Sequence, residues 1–355
     1  MINGCMLSSL SFPLPLSEAQ YFDTCFAHLL ADESICFRFT TVPPSSNLVL
    51  NKTEIEHKTQ ACIVVSCEAL NIEKLHQVEQ ALAQTLAFQS WLISVSRSAK
   101  SNRLVAKAKV ELLNKQERFS SVNVLLEEVS QELQVEVAFV ESAPILSEPG
   151  LLVMDMDSTV INIECIDEIA KLAGVGDKVS EVTELAMQGK LDFAQSLTSR
   201  VACLQHAEER LLKTVRDKLP LMPGIENLVT TLKHHGWRLA IASGGFTYFA
   251  NYLKQRLGLD YAISNELEIV DAKLTGKVLG NIVDAQVKAQ TVESLAQQFS
   301  IPMSQTVALG DGANDLVMMQ KAALGVAYKA KPIVREQSQT SIRFGELDQL
   351  LDYLR

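Results

Sequence analysis

Three short apolar runs in this chain each end on a group that could do chemistry: Leu151–Met154 on Asp155, residues 239–242 on Ser243, and residues 307–310 on Asp311. Asp155-Met156-Asp157-Ser158-Thr159 sets two carboxylates two positions apart, and Gly310-Asp311-Gly312-Ala313-Asn314-Asp315 sets two more in a glycine-rich turn. Like charges about 4 Å apart repel by about 1 kcal/mol in water and several times more in a drier cleft. Carboxylates gathered in one crevice therefore ask for a cation. Oxygen ligands without His or Cys nearby favour a hard ion that keeps water and meets phosphate, which describes Mg²⁺. Taken singly, each of these residues reads more readily as a helix cap or turn residue; their conjunction points to chemistry.

Such residues meet only if a scaffold brings the ends of their strands together. From Leu151 onward strand and helix periods alternate, and the run Leu151–Met154 is apolar throughout, as suits a strand buried on both faces. The expected fold is α/β, a doubly wound parallel sheet whose ligand crevice lies at the carboxyl ends of its strands. Asp155, Ser243 and Asp311 would converge there. Residues 161–221 carry helical periods and are long enough for a small helical cap, and residues 266–283 read as a hairpin beside the site.

Upstream, residues 61–67 and 91–96 read as strands around an amphipathic stretch at 72–86, followed by a strand at 104–112, a helix at 120–133 and a strand at 135–140. The order βαββαβ predicts a ferredoxin-like α+β domain. It resembles the ACT type attached to enzymes of amino-acid metabolism, which implies ligand sensing or a homodimer through this domain; a scaffold without a ligand fits the topology at least as well. The expected domains are an extension at 1–60, whose apolar pieces at 36–39 and 48–50 could add strands, the ferredoxin-like domain at 61–142, a Pro- and Gly-bearing linker at 143–150, and a catalytic domain at 151–355 with its cap at about 161–221.

The net charge of −10 repels polyanions, so neither nucleic acid nor an anionic membrane is the expected partner. No apolar run approaches the roughly 20 residues of a spanning helix. The first basic residue is Arg38, and Pro13 and Pro15 interrupt the early apolar stretch, so no secretory signal is expected and the expected compartment is the cytoplasm. Cys5, Cys25, Cys36, Cys62, Cys67, Cys165 and Cys203 form no CxxC pair and read as reduced thiols.

In order along the chain, DMDST at 155–159, Ser243-Gly244, Lys288 and GDGAND at 310–315 resemble the four motifs of the haloacid dehalogenase superfamily. Glu164, Phe193 and Arg200 extend the resemblance to its phosphoserine-hydrolysing branch, and the likeness runs from Gly150 to the C-terminus. It implies a Rossmann-like sheet with a helical cap and Mg²⁺-dependent hydrolysis of O-phospho-L-serine, the last step of serine synthesis. Asp155 would carry a covalent phosphoryl group, and Asp157 would act as general acid and then base. The side chains of Asp155 and Asp311 and the backbone carbonyl of Asp157 would hold the metal, with Asp315 orienting the outer shell. Ser243, the Gly244 amide, Lys288 and Asn314 would bind phosphoryl oxygens. Glu164 would pair with the substrate ammonium, Arg200 with its carboxylate, and Phe193 would pack on its carbon skeleton.

By residue chemistry alone, Lys288, Glu164 and Arg200 read as solvated helix charges. Two other enzyme readings are phosphate transfer to a different alcohol and action on another small phosphomonoester. A third reading is an amino-acid-sensing regulator with a silent catalytic domain, against which the intact Asp155, Asp157, Lys288, Asp311 and Asp315 argue.

Overall fold

The computed structural model describes residues 14–15, 34–42, 45–50, 61–67, 69–96, 103–114 and 119–355. They form two compact units, one made of residues up to 143 together with 335–355, the other of residues 144–334.

The first unit is a sheet of β1 (Leu14–Pro15), β2 (Ser34–Val42), β3 (Ser45–Leu50), β4 (Cys62–Ser66), β5 (Leu86–Val95), β6 (Leu104–Leu112) and β7 (Glu136–Val140), in the order β1-β3-β2-β5-β6-β4-β7. The last four strands in that order pair antiparallel, which is the ferredoxin-like arrangement. Helices α1 (Ile72–Leu82) and α2 (Phe119–Leu133) supply its second layer. Alternate strand residues such as Ile63, Val65, Ala106, Ala108, Val137 and Phe139 share one buried cluster with Leu75, Val78, Val122 and Leu126 of the helices. The apolar pieces at 36–39 and 48–50 lie on β2 and β3, which extend this sheet beyond β5.

Two boundaries differ from expectation. Helix α1 stops at Leu82, and β5 starts at Leu86 rather than 91. Leu86 follows Leu82 at a helical spacing of four, and a register shift between Phe88 and Trp91 breaks the strand alternation, so the pattern imitates a longer helix.

In the second unit the strands run in the order β11-β10-β9-β8-β12-β13, with β8 (Leu151–Met154), β9 (Arg238–Phe246), β10 (Tyr261–Val270), β12 (Thr306–Gly310) and β13 (Leu324–Tyr328) parallel and β11 (Lys273–Leu279) antiparallel to β10. Every residue of β8 is fully buried. Successive connections run to one side of β8 through β9 and β10, and to the other through β12 and β13. The switch point therefore lies between β8 and β12, where such sheets bind ligands. After β8 come the cap helices α3 (Cys165–Ala173), α4 (Gly176–Met187), α5 (Phe193–Cys203) and α6 (Arg210–Arg216). Helices α7 (Ile225–His234), α8 (Thr247–Leu257), α9 (Ala285–Gln298) and α10 (Leu316–Lys321) connect the strands.

Two expected boundaries are corrected. Residues 144–150 have the composition of a linker but are fastened into the second unit: Gln305 donates to the carbonyl of Ile145 (3.1 Å) and accepts its N–H (2.7 Å), and Trp237 Nε1 donates to the Leu146 carbonyl at 3.0 Å. At the other end, the catalytic unit stops at Val334 instead of running to residue 355. Residues 335–355 join the first unit because Arg335 and Arg343 find their acids there, the half-buried Glu127 and the buried Glu136.

Candidate active site

Register places the acids together. Met154 of β8 lies opposite Leu309 of β12, and the Asp155 N–H donates to the Leu309 carbonyl at 2.9 Å, so Asp155 and Asp311 leave neighbouring strands at the same edge. The chain then turns back on itself. The Val160 and Ile161 N–H groups donate to the Met156 carbonyl at 2.8 and 3.0 Å, with Ser158 held at φ 56. That turn aims Asp157 at the start of α3, where the Cys165 N–H donates to Asp157 Oδ1 at 3.1 Å.

Lys288 enters from α9, whose start Asp284 caps by accepting the N–H groups of Gln286 and Val287, both at 2.9 Å. Its side chain is fully buried, contrary to the solvated reading, and Nζ lies 2.9 Å from Asp155 Oδ1 and 2.7 Å from Asp315 Oδ1. Asp315 also accepts the Gly312 N–H at 3.0 Å, and Gly310 leaves room for it, since a Cβ there would collide with the Asp315 carboxyl.

Asp155, Asp311 and Asp315 each offer an oxygen within 4.8 Å of the others, the one such cluster among the described residues. Burial, with the charges of Asp155 and Asp315, pushes the Asp311 carboxyl up to about 8. Burial, then the charge of Glu164, pushes Asp157 up to about 8 as well. Asp315 rises to about 6 through burial and Asp155, held back by Lys288. One lysine, 2.9 Å from Asp155 Oδ1, does not offset this much negative charge. An all-oxygen, anion-rich set of three carboxylates fits a hard divalent cation.

The cap faces these acids across a cavity of about 530 Å³, and Asp155, Asp157, Ser243, Gly244, Asp311 and Asn314 line its floor. Glu164, Phe193 and Arg200 line it from the cap. Lys288 and Asp315 lie beneath the floor rather than on it. Glu164 is exposed to the cavity at the start of α3, where Ser158 Oγ donates to it at 2.7 Å. Helix α5 begins with a capping box, Asp192 accepting the Gln195 N–H at 2.8 Å and giving its own N–H to the Gln195 side chain at 3.1 Å. Phe193, Ser196 and Arg200 recur at helical spacing along the cavity wall. The Phe193 ring rests on Gly244, where any Cβ would collide with it. Arg200 Nε is buried with no hydrogen-bond partner among the described residues.

Three contributors escaped the sequence reading. Ser158 and Thr159 lie inside the DMDST motif without an assigned role, yet one donates to Glu164 and the other to Asp311 Oδ1 at 3.1 Å. Asn265, 1% exposed, donates to the Gly244 carbonyl and accepts the Val283 N–H, both at 2.8 Å, tying the Ser243-Gly244 turn to the segment that leads into α9. Its signal was available: Tyr261, Ile263, Asn265, Leu267 and Ile269 alternate on one parity, and Asn265 is the polar interruption. None of the residues lining the cavity comes from the expected hairpin at 266–283, which instead binds the cap. His206 and Glu209 of the cap donate N–H groups to the carbonyls of Leu274 and Ala272 at 2.8 and 2.9 Å, joining it to the cap.

Comparison with known proteins adds an independent line. The profile of haloacid dehalogenase-like hydrolases matches residues 150–323. A phosphoserine phosphatase of Haemophilus influenzae is 45% identical over 320 residues, covering 90% of this chain and 95% of that protein. One of Vibrio cholerae is 59% identical over 221 residues, 62% of this chain and 67% of that protein. Among solved structures, a phospho-aspartyl intermediate analogue of phosphoserine phosphatase superposes with a TM-score of 0.56 at 40% identity, covering 59% of this chain and all of that one.

Proposed function

The chain belongs to the phosphoserine phosphatases of the haloacid dehalogenase-like hydrolases, and on that premise we propose how its residues hydrolyse O-phospho-L-serine to L-serine and phosphate. The observation that carries the proposal is the buried Asp155, ion-paired to Lys288 at 2.9 Å, at the floor of a cavity that Glu164 and Arg200 reach from the cap.

Arg200 receives the substrate carboxylate and Glu164 its ammonium, while Phe193 packs on the carbon between them; this aims the phosphate at the floor. Ser243, the Gly244 amide and Asn314 donate hydrogen bonds to the phosphoryl oxygens, and Lys288 adds charge from below. An Asp155 carboxylate oxygen attacks phosphorus as the bond to the seryl oxygen breaks. Asp157, whose carboxyl burial and the charge of Glu164 push up, gives that oxygen its proton. Asp157 then takes a proton from water, whose oxygen attacks phosphorus and releases Asp155 and inorganic phosphate.

Asp155 and Asp311, with the Asp157 carbonyl, would hold Mg²⁺, and Asp315 would orient its surroundings; the bound ion supplies positive charge against the repulsion between Asp155 and the phosphoryl group. The proposed setting is the cytoplasm, and self-association through the first unit, readable by light scattering, is part of the same reading.

A panel of O-phospho-L-serine, O-phospho-L-threonine and sugar phosphates, run with and without Mg²⁺, tests it. Fast phosphate release from phosphoserine alone, dependent on Mg²⁺, is expected. Equal rates across the panel would remove Glu164 and Arg200 from their roles.

A further inference from the structure

The first unit holds a second cavity, of about 440 Å³, which shares no residue with the catalytic one. Its volume falls in the range of small-molecule sites, about 300–1,000 Å³. Lys74 and Arg103 place two cations on its wall. Lys74 Nζ has the Cys67 thiol 3.8 Å away, and burial pushes that thiol up, so it stays neutral and is a weak acceptor. Arg103 gives Nη2 to Gln349 at 3.3 Å, but its Nε is buried with no hydrogen-bond partner among the described residues.

The acid on the same wall is already committed. Glu136 Oε2 accepts the N–H groups of Arg343 and Phe344, both at 2.8 Å, and Oε1 accepts from Arg343 Nη1 at 3.4 Å. Ser66 accepts from Gln349 at 2.9 Å and still has a hydroxyl proton to give. What the cavity offers a ligand is therefore two positive charges and spare donors, with the apolar Phe344 beside them.

We propose that this cavity binds a small organic oxyanion, a carboxylate or a phosphate monoester, gripped by Lys74 and Arg103. Equilibrium dialysis of the full chain against labelled inorganic phosphate, and separately against labelled succinate, tests the proposal. The comparison is between wild type and the Lys74→Gln/Arg103→Gln double variant, whose unchanged kcat on phosphoserine reports an intact fold. With at least one probe the variant is expected to bind one equivalent fewer per chain, or to bind it more than tenfold more weakly. Loss of phosphate alone identifies a phosphate ester, and loss of succinate alone a carboxylate. Should the double variant lose turnover, Arg103→Gln alone carries the same comparison. Equal stoichiometry and affinity for both probes, with and without the substitutions, overturns the proposal.

Discussion

Among the described residues, two clusters of charged side chains follow opposite rules. In the first unit, Glu127 accepts from Arg335 Nε at 2.9 Å and from Arg343 Nε at 2.8 Å, while Glu136 takes the other face of Arg343 and backbone N–H groups. Two acids meet two bases. At the sheet edge of the second unit, Asp155, Asp157, Asp311 and Asp315 share Lys288, whose Nζ contacts only the first and last of them among these acids. A balanced set ties the chain to itself, whereas an unbalanced one must hold protons or take positive charge from outside the chain. The surplus of acid marks the functional region.

The largest effect expected from breaking this contrast is catalytic. Asp155→Asn should lower kcat on phosphoserine by about 10⁴-fold or more, in line with nucleophile deletions elsewhere, with the circular dichroism spectrum unchanged. In the balanced region the penalty should fall on stability instead. Glu127→Ala takes the acid from the half-buried Arg335 and leaves the buried Arg343 with Glu136 alone, and should cost roughly 1.5–3 kcal/mol in urea unfolding, with little change in the kcat of the folded fraction. Arg200→Gln sits between these extremes. Losing one charge-assisted pair of roughly 1.5–3 kcal/mol should raise KM for phosphoserine by about 10- to 100-fold and leave kcat nearly unchanged.

The smallest effect is also the most discriminating, because Asp311 and Glu127 should respond to pH with opposite signs. Asp311 keeps its proton in the folded, metal-free chain up to about 8, against an ordinary value of 3.8. The folded state binds more protons across that window, so metal-free stability should fall as pH rises from 4 to 8, and Asp311→Asn should flatten the slope while raising stability at pH 8 by about 1–2 kcal/mol. Glu127 behaves oppositely. Burial raises its carboxyl, but the hydrogen bonds and charges of Arg335 and Arg343 outweigh this and hold it below its ordinary value of 4.5. Its contribution is complete above that value and is lost as pH falls through the folded one. Unfolding curves in chelator at pH 3 to 8, for wild type and Glu127→Gln, read both slopes.

How legible each region was in the sequence follows from the same physics. The strand ends were legible because Asp155, Ser243 and Asp311 each terminate an apolar run, a local signal. Lys288 was not, since Gln286 and Gln290 flank it on α9 and only Asp155, 133 positions upstream, shows why it is buried. The division of the chain was hidden for a similar reason: Arg335 and Arg343 resemble surface charges until Glu127 and Glu136, about 200 positions away, are brought to them. The ACT resemblance rests on a strand order that serves many functions, so topology alone does not say what the first unit binds.

Trapping the covalent intermediate tests the central claim most directly. The enzyme is mixed with [³²P]phosphoserine, quenched in acid within one turnover, digested and mapped. A hydroxylamine-labile label on the peptide bearing Asp155, absent from Asp155→Asn, is the expected result. A label on another residue, or none while phosphate is still released at full rate, would contradict it.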